Sequence, residues 1–420
     1  MILALIKAAY RKAFPDAVRQ RAFRIRGEIL RLTKKVKLTS IRVDACLLGG
    51  DNGVSASRFA RIVGDIRRAS RPISEWPHVK FLRKYDRIGE RIWEREIFEK
   101  TEYFQNAALN IDIFGRYHSA TAPDQIQWGA RRFVHMYRAM GELLPLQEGE
   151  TYERDSEEIV VHPVRYSACY QVQEGHHRLA VAFMRGVREV KAVVRQPSVM
   201  TPVQELLLDV LWLKGRRELY QPISSPEVAD WVLVRRCSDR LAKMTKFLLA
   251  EGLMPSEPRS YLDVASSYGW FVSEMGKVGF RAAGVERDPI AISVGTQMYG
   301  LNEKQVFRSD VVPFLRTLQD KYDVTSCFSL VHHYLLNHLN TSPEELLHLL
   351  DSATRHVLFF DMGQSHEYPG PSLEGWDADR IHRWLEANST FTRIVRLGPD
   401  EDAVPPNEHN FGRMLFACVR

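Results

Sequence analysis

A chain of 420 residues with 45% hydrophobic and 26% charged side chains is large enough for two or three domains and has the make-up of a soluble globular protein. No run approaches about twenty uninterrupted apolar residues, so no transmembrane helix is expected, and the opening nine residues are too few for a signal-peptide pattern. The five cysteines, Cys46, Cys169, Cys237, Cys327 and Cys418, are scattered and odd in number, which speaks against a disulfide framework or a metal site and for the cytoplasm.

The net charge of +6 is unevenly placed. Residues 1–42 hold twelve Lys or Arg against Asp16 and Glu28, so the rest of the chain is slightly acidic. Beyond Pro15, the residues Val18, Ala22, Ile25, Ile29, Leu32 and Val36 recur at helical spacing and form one apolar stripe. Arg19, Arg21, Arg24, Arg26, Arg31, Lys34, Lys35 and Lys37 cover much of the remainder. Such a basic amphipathic helix suits three roles: docking on its own protein, lying on an anionic membrane surface at the inner face, or meeting a nucleic acid. No aromatic-rich basic platform accompanies it, which counts against single-stranded nucleic acid.

Residues 43–150 are expected to be mainly helical. Leu48-Gly49-Gly50-Asp51-Asn52-Gly53 signals a plain turn. From residue 73 to 141 aromatics are dense, among them Trp76, Phe81, Tyr85, Trp93, Phe98, Tyr103, Phe133 and Tyr137, the composition of a packed helical core.

A small α+β module is expected over residues 151–220. An apolar strand at 159–164 is followed by Tyr170-Gln171-Val172, the turn Glu174-Gly175-His176-His177-Arg178, a helix over 179–186 and a strand over 189–194. Gly175 frees the turn, a helix start offers amides, and Arg178 suits bidentate phosphate binding. This run resembles the ParB and sulfiredoxin superfamily, whose motif is an acid followed by Gly-His-x-Arg or Gly-x-x-Arg at a helix start. The resemblance implies a nucleotide (ATP or CTP) or another anion at Glu174, Gly175, His176, His177 and Arg178. An internal salt-bridged turn is the alternative. Similar segments accompany enzymes of surface polysaccharide biosynthesis. A helix over 198–220 and a boundary near 221–230, marked by Pro222 and Pro226, follow.

The remainder, residues 221–420, opens with a predicted helix over 231–252. A buried strand then delivers Asp263 to the small-residue turn Ala265-Ser266-Ser267-Tyr268-Gly269, where a helix begins, and a second strand closes on Glu286. Small residues let a ligand approach the backbone, the helix-start amides suit an anionic group, and a strand-end carboxylate suits ribose hydroxyls. Only Gly269 of the three fingerprint glycines is present, which argues against a dinucleotide. The segment resembles the first motif of class I S-adenosylmethionine (AdoMet) dependent methyltransferases, Asp-x-Gly-x-Gly-x-Gly, with Ala265 and Ser267 at the first two glycine positions. The order behind it agrees with that family: a strand near Val306 ending in Ser309-Asp310, a strand over 322–330, a helix over 343–353, a strand over 356–362, a helix over 378–387, and strands over 392–397 and 414–419.

The resemblance implies an α/β, Rossmann-like domain with a seven-stranded sheet, and AdoMet held by Asp263, Ala265, Ser266, Ser267, Gly269, Glu286, Arg287, Asp310, Val311 and Ser329. His332 and His333 follow the fourth strand, where this family presents the methyl group, and a neutral imidazole is a suitable base; His333 is the favoured one. Asp361, His366 and Glu367 at the end of the fifth strand are candidates for binding an acceptor's hydroxyls, or for capping and salt bridges. Cys327-Phe328-Ser329-Leu330 stands where amino-group methylases carry Asn/Asp-Pro-Pro-Tyr, so a hydroxyl of a small molecule, sugar, glycan or glycolipid is the expected acceptor. The competing readings are a bifunctional protein whose ParB-like turn performs nucleotide or phosphoryl chemistry, and a nucleic-acid binding or modifying protein.

Overall fold

The computed structural model describes residues 38–142, 158–336, 340–367, 373–402, 404–405 and 412–420. The predicted basic helix of the first 37 residues lies outside them. Among the described residues no helix is long and apolar enough to cross a membrane. The chain divides into two units, one of Met1–Cys46, Ile73–Pro163 and Tyr170–Ser198, the other of Leu47–Pro72, Val164–Cys169 and Val199–Arg420. In sequence the two units are interleaved.

The first unit has a mixed sheet in the order β1-β5-β3-β4-β2, formed by β1 (Leu38–Arg42), β2 (Cys46–Leu47), β3 (Val160–Pro163), β4 (Tyr170–Glu174) and β5 (Glu189–Val194). β3 pairs antiparallel with β4 and parallel with β5. After β2 the chain makes α1 (Ala56–Ile62), which belongs to the second unit. It returns with α2 (Pro77–Ile88), α3 (Arg95–Phe98), α4 (Glu102–Phe114), α5 (Ile126–Glu142) and, after β4, α6 (His176–Met184). α2 starts on Pro77, whose fixed φ suits a first helical position, and stops at Gly89 with φ +59°. Its Val79, Phe81, Leu82 and Tyr85 are buried while Lys80, Arg83, Lys84 and Arg87 form the other face. The aromatics pack as a core: Phe81 stacks on Tyr103 at 4.9 Å, and Phe133 on Tyr103 at 5.8 Å. Trp128 is the exposed exception.

The second unit is built on a seven-stranded sheet in the order β10-β9-β8-β11-β12-β14-β13, comprising β8 (Ser260–Val264), β9 (Arg281–Glu286), β10 (Val306–Arg308), β11 (Tyr322–Cys327), β12 (Thr354–Phe360), β13 (Arg393–Pro399) and β14 (Met414–Val419). β14 runs antiparallel to β12 and β13; the other pairings are parallel. Alternate residues feed two apolar layers, as a period of two requires: Leu262, Val264, Leu358, Phe360 and Phe416 on one face, Tyr261, Val324, Val357, Phe359 and Ala417 on the other. The helices after these strands are α9 (Trp270–Val278), α10 (Pro289–Tyr299), α11 (Val311–Thr317), α12 (Val331–Leu336), α13 (Pro343–Ala353) and α14 (Ala378–Asn388). Strand order reverses between β8 and β11, and such a switch point opens a crevice at the carboxyl ends of the strands.

Two predicted helices are shorter than expected. Over 198–220 only α7 (Pro202–Leu208) forms, begun by a Thr201/Gln204 capping box. Past its end the Val210 N–H bonds back to Leu207 three residues away, and the Leu211 N–H leaves the helix for Asp288 at 3.0 Å. Over 231–252 the helix α8 (Ser238–Ala250) starts late. Val232–Leu233 pairs as β7 with Glu218–Leu219, β6, and Cys237 turns left-handed at φ +64°.

Candidate functional site

At the end of β8 the turn 265–269 alternates its backbone. Ala265, Ser267 and Gly269 have φ of +61°, +54° and +78°. Two of the three are L-residues in a region that ordinarily favours glycine, a conformation worth about 1–2 kcal/mol of strain each. Glycine suits Gly269 through its φ of +78°, and at Gly284 a Cβ would crowd Ser266 Oγ at 2.7 Å and Val272 Cγ2 at 2.8 Å. The buried Ser266 Oγ has no hydrogen-bond partner.

Two amides at the helix start have partners within the protein. Gly269 N–H donates to the Ser266 carbonyl at 2.8 Å, and Trp270 N–H to Gln221 Oε1 at 3.2 Å. Gln221 also donates to the Ser266 carbonyl, so one amide side chain holds both ends of the turn.

Two acids flank it. Asp263 is buried in β8 and accepts a 2.6 Å hydrogen bond from Ser326 Oγ. Burial pushes its carboxyl up to about 7, helped by the Glu286 charge and opposed by Ser326 and Arg240. Glu286, ending β9, is also raised by burial. Its Oε2 accepts from Ser267 N–H at 2.8 Å, and its Oε1 from the amides of Arg287 and Asp288. The backbone thus fixes this carboxylate in place. Arg287 and Asp310 are exposed and 4.0 Å apart at the next strand ends, and Val311 is buried just inside α11.

A recess beside Asp263 and Ala265 is lined by Tyr220, Gln221, Arg235, Cys237, Arg240, Phe271 and Phe328. The sequence reading missed Gln221, Arg235 and Arg240. The only trace of the two arginines' role is that the acid-rich run 400–402 supplies charges to match them. Asp400 binds both Arg235 and Arg240. Asp402 caps α8 through the amides of Asp239 and Arg240. Asp239, Asp400 and Asp402 bring carboxylate oxygens together, each already engaged: Asp239 by Lys243 and the Glu401 amide, Asp400 by the two arginines and Asp402 by the helix amides.

The acceptor candidates take other positions. Asp361 is buried, pairing with Arg240 Nε at 3.0 Å and Arg413 Nη1 at 3.3 Å. Burial works to raise its carboxyl, but Arg240, Arg413 and Arg235 outweigh it and hold it below the usual range. Glu367 is buried against Arg413 in a two-point pair. Ser329, at φ +56°, donates its amide to Asp361 at 2.8 Å and accepts from Arg413 through Oγ at 2.7 Å. Asp361, Glu367 and Ser329 therefore brace the strand ends around Arg413, a residue the sequence reading did not single out. His366 is exposed.

The two histidines separate clearly. His332 is 2% exposed, and its Nδ1 accepts the Gly363 N–H at 3.1 Å. Burial, with His333 and Arg413 nearby, lowers its pKa to about 2. His333 is exposed, its ring 4.2 Å from that of His332. Desolvation and the charges of Arg413 and Arg287 lower its pKa below the usual value.

In the first unit, Glu174 is exposed at the end of β4, and Gly175 is left-handed at φ +100° just before α6. His177 turns inward: Nε2 meets Tyr103 OH at 2.9 Å, and its ring lies edge-on to Phe133 at 4.5 Å and His78 at 4.7 Å. Its pKa falls well below the usual value through burial and then the neighbouring His118, His176 and Arg178 charges. His176 packs on Trp76 at 5.5 Å, and Arg178 donates to the Glu158 carbonyl at 3.4 Å.

No family model and no curated protein sequence matches the chain. Among solved structures it is similar to WbdD in a co-crystal with the kinase inhibitor LY294002, at 17% identity and TM-score 0.40, covering 52% of this chain and 47% of that one. A second structure, of the bifunctional kinase-methyltransferase WbdD, gives 17%, 0.39, 52% and 46%. Magnesium protoporphyrin IX methyltransferase from Synechocystis PCC 6803 with bound SAM gives 15%, 0.32, 43% and 79%. The chain spans a little under half the length of the WbdD structures it matches. These are likenesses of fold. The strand order of the second unit, third-second-first-fourth-fifth-seventh-sixth with the seventh reversed, is that of a Rossmann-like class I methyltransferase sheet.

Proposed function

We propose that the second unit is an AdoMet-dependent methyltransferase that methylates a hydroxyl of a sugar, glycan or glycolipid intermediate. The observation that carries this reading is the turn 265–269, left-handed at alternate residues and set between Asp263 and Glu286 on adjacent strands of that sheet. The donor set fits an amino-acid nucleoside. Asp263 suits an ammonium group, Arg235 and Arg240 suit a carboxylate, and Glu286, already oriented by three amides, keeps about one of its roughly four acceptor sites for a ribose hydroxyl. Arg287, Asp310 and Val311 would border the adenine at the neighbouring strand ends. AdoMet, when bound, would supply an electrophilic methyl on a sulfonium, to be taken in line by an acceptor oxygen with the neutral thioether as leaving group.

The chain's own task is then to align that oxygen and remove its proton. His333 is better suited to this than His332. Its ring is exposed and its lowered pKa keeps it neutral near pH 7, whereas the Nδ1 of His332 is engaged by Gly363. Acceptor hydroxyls would meet His333 and His366 rather than Asp361 and Glu367, which are committed to Arg413. Residues 1–42 would hold the enzyme at an anionic membrane surface; loss of vesicle binding on deleting them tests this.

Calorimetric titration with AdoMet tests the cofactor reading. Low-micromolar binding by the whole protein, lost in both Asp263→Ala and Glu286→Ala with the fold intact, is the expected result. Unchanged affinity in either variant would overturn it.

A further inference from the structure

The first unit holds a cleft that none of the roles above uses. Its volume is about 320 Å³, within the range of small-ligand sites, and Lys80, Arg83, Lys84, Arg87, Lys100 and Glu102 supply its charge. Five cations against one carboxylate leave a net +4.

That concentration follows from the sequence of α2. Lys80, Arg83, Lys84 and Arg87 stand at i, i+3, i+4 and i+7, so they share one face of the helix opposite the buried Val79, Leu82 and Tyr85. Like charges at these spacings repel and weaken a helix unless something neutralises them. Glu102 meets Lys80 at 2.6 Å. Among the described residues, Arg83, Lys84, Arg87 and Lys100 have no ion-pair partner. Arg83 and Lys84 donate to carbonyl oxygens, those of Ser74 at 3.0 Å and Ile97 at 3.4 Å, and the Arg83 guanidinium lies 5.8 Å from the Phe183 ring centroid.

The acids of this region are turned elsewhere. Asp86 accepts from Tyr137 at 2.7 Å, Glu90 pairs with Arg138 at 2.9 Å, Glu94 with Arg91 at 3.2 Å and Glu99 with Arg95 at 2.8 Å. The cleft also adjoins Thr101, the cap of the 13-residue α4, so the positive end of that helix adds to the field.

We propose that this cleft binds a small phosphate-rich ligand, of the pyrophosphate or nucleoside diphosphate class, through its phosphoryl oxygens. Recognition falls on the phosphates because the aromatic ring of the wall, Phe81, is 1% exposed and already stacked on Tyr103, leaving no face for a base. Arginines and lysines side by side combine forked and point-charge donors, which suits adjacent phosphoryl groups. The site is separate from the turn 174–178.

The test is calorimetric titration of the full chain with inorganic pyrophosphate and with ADP, at constant ionic strength, with sulfate as a control. Pyrophosphate and ADP should bind one per chain and compete, and sulfate should bind at least tenfold more weakly. Lys84→Gln and Arg87→Gln should each cut pyrophosphate affinity about tenfold, and Lys84→Arg should retain it. The double neutral variant should also melt higher than the parent without ligand, since the repulsion is relieved. Undiminished affinity in the double variant, loss of binding in Arg178→Ala, or binding to phosphatidic acid vesicles without pyrophosphate binding would each overturn the proposal.

Discussion

Arg413 spans two acids at the carboxyl edge of the sheet, with Nη1 3.3 Å from Asp361 and Nε 2.9 Å from Glu367. Asp361 passes on to Arg240, Arg240 to Asp400, and Asp400 to Arg235, so three guanidiniums and three carboxylates alternate in one buried chain of charge. Such a chain adds little net stability, but removing one member strands its neighbours without compensation.

Asp361→Ala should therefore lower the unfolding free energy by about 3–5 kcal/mol, because Arg240 and Arg413 both lose a buried partner. Asp361→Asn should cost less, since an amide oxygen still accepts from Ser329 and Arg413. Urea denaturation of the two variants checks the ordering. Equal stability of Asp361→Ala and the parent would remove the bracing role.

The turn 265–269 makes a conformational prediction. Ala265→Gly relieves a left-handed L-residue, so folded stability should stay level or rise by up to about 1 kcal/mol despite the added chain entropy. Ala265→Val should lose AdoMet affinity at least tenfold, since a β-branched side chain resists φ +61°. Thermal melts and AdoMet titration read the two effects separately.

Cofactor affinity should depend on pH. Asp263 has a folded-state carboxyl raised to about 7 from 3.8, so near neutrality it is partly protonated and cannot hold an ammonium until it ionises. AdoMet binding should tighten as pH rises from 6 to 8 and release protons below pH 7, detectable as a buffer-dependent binding enthalpy. For the fold without ligand the sign is the reverse. The raised group disfavours the folded state progressively from about pH 4 to pH 7, and Asp263→Asn should flatten that decline.

The two histidines should part in their behaviour. His333→Ala should lower kcat by about 10²- to 10⁴-fold with little change in melting temperature. The acid limb of the parent's kcat profile should lie below pH 6.5, following the lowered pKa. His332→Ala leaves the Gly363 amide without its acceptor and should cost about 1–3 kcal/mol of stability. Denaturation beside turnover separates a positioning residue from a base.

The second unit was legible in outline because its strands are short apolar runs separated by amphipathic helices. Asp263, Gly269 and Glu286 fall on the strand ends and the helix start where the spacing put them. What escaped was supplied by pairs distant in sequence. Gln221 closes the turn from 45 residues away, and Arg413 meets Asp361 across 52. Local pattern carries no record of such meetings. For the same reason Asp361 and Glu367 read equally as acceptor ligands or as capping and salt-bridge groups, since a carboxylate past a strand looks alike whether it faces solvent or a buried arginine. In the first unit, His177 sat in a turn that promised an anion, yet the rings on which it packs lie far back in the chain, Tyr103 74 residues earlier and His78 earlier still.

The alternating backbone of residues 265–269 bears on how such sites are inherited. What the turn preserves is a set of torsion angles, and alanine and serine carry them where glycine would carry them more cheaply. A drift from glycine to slightly larger residues narrows the floor of the crevice by a methyl or hydroxymethyl group at a time, while leaving the path of the chain untouched. Relatives would then be recognised by dihedral rhythm sooner than by letters, and grading their ligand selectivity would begin with the volume at position 265, which lines the recess.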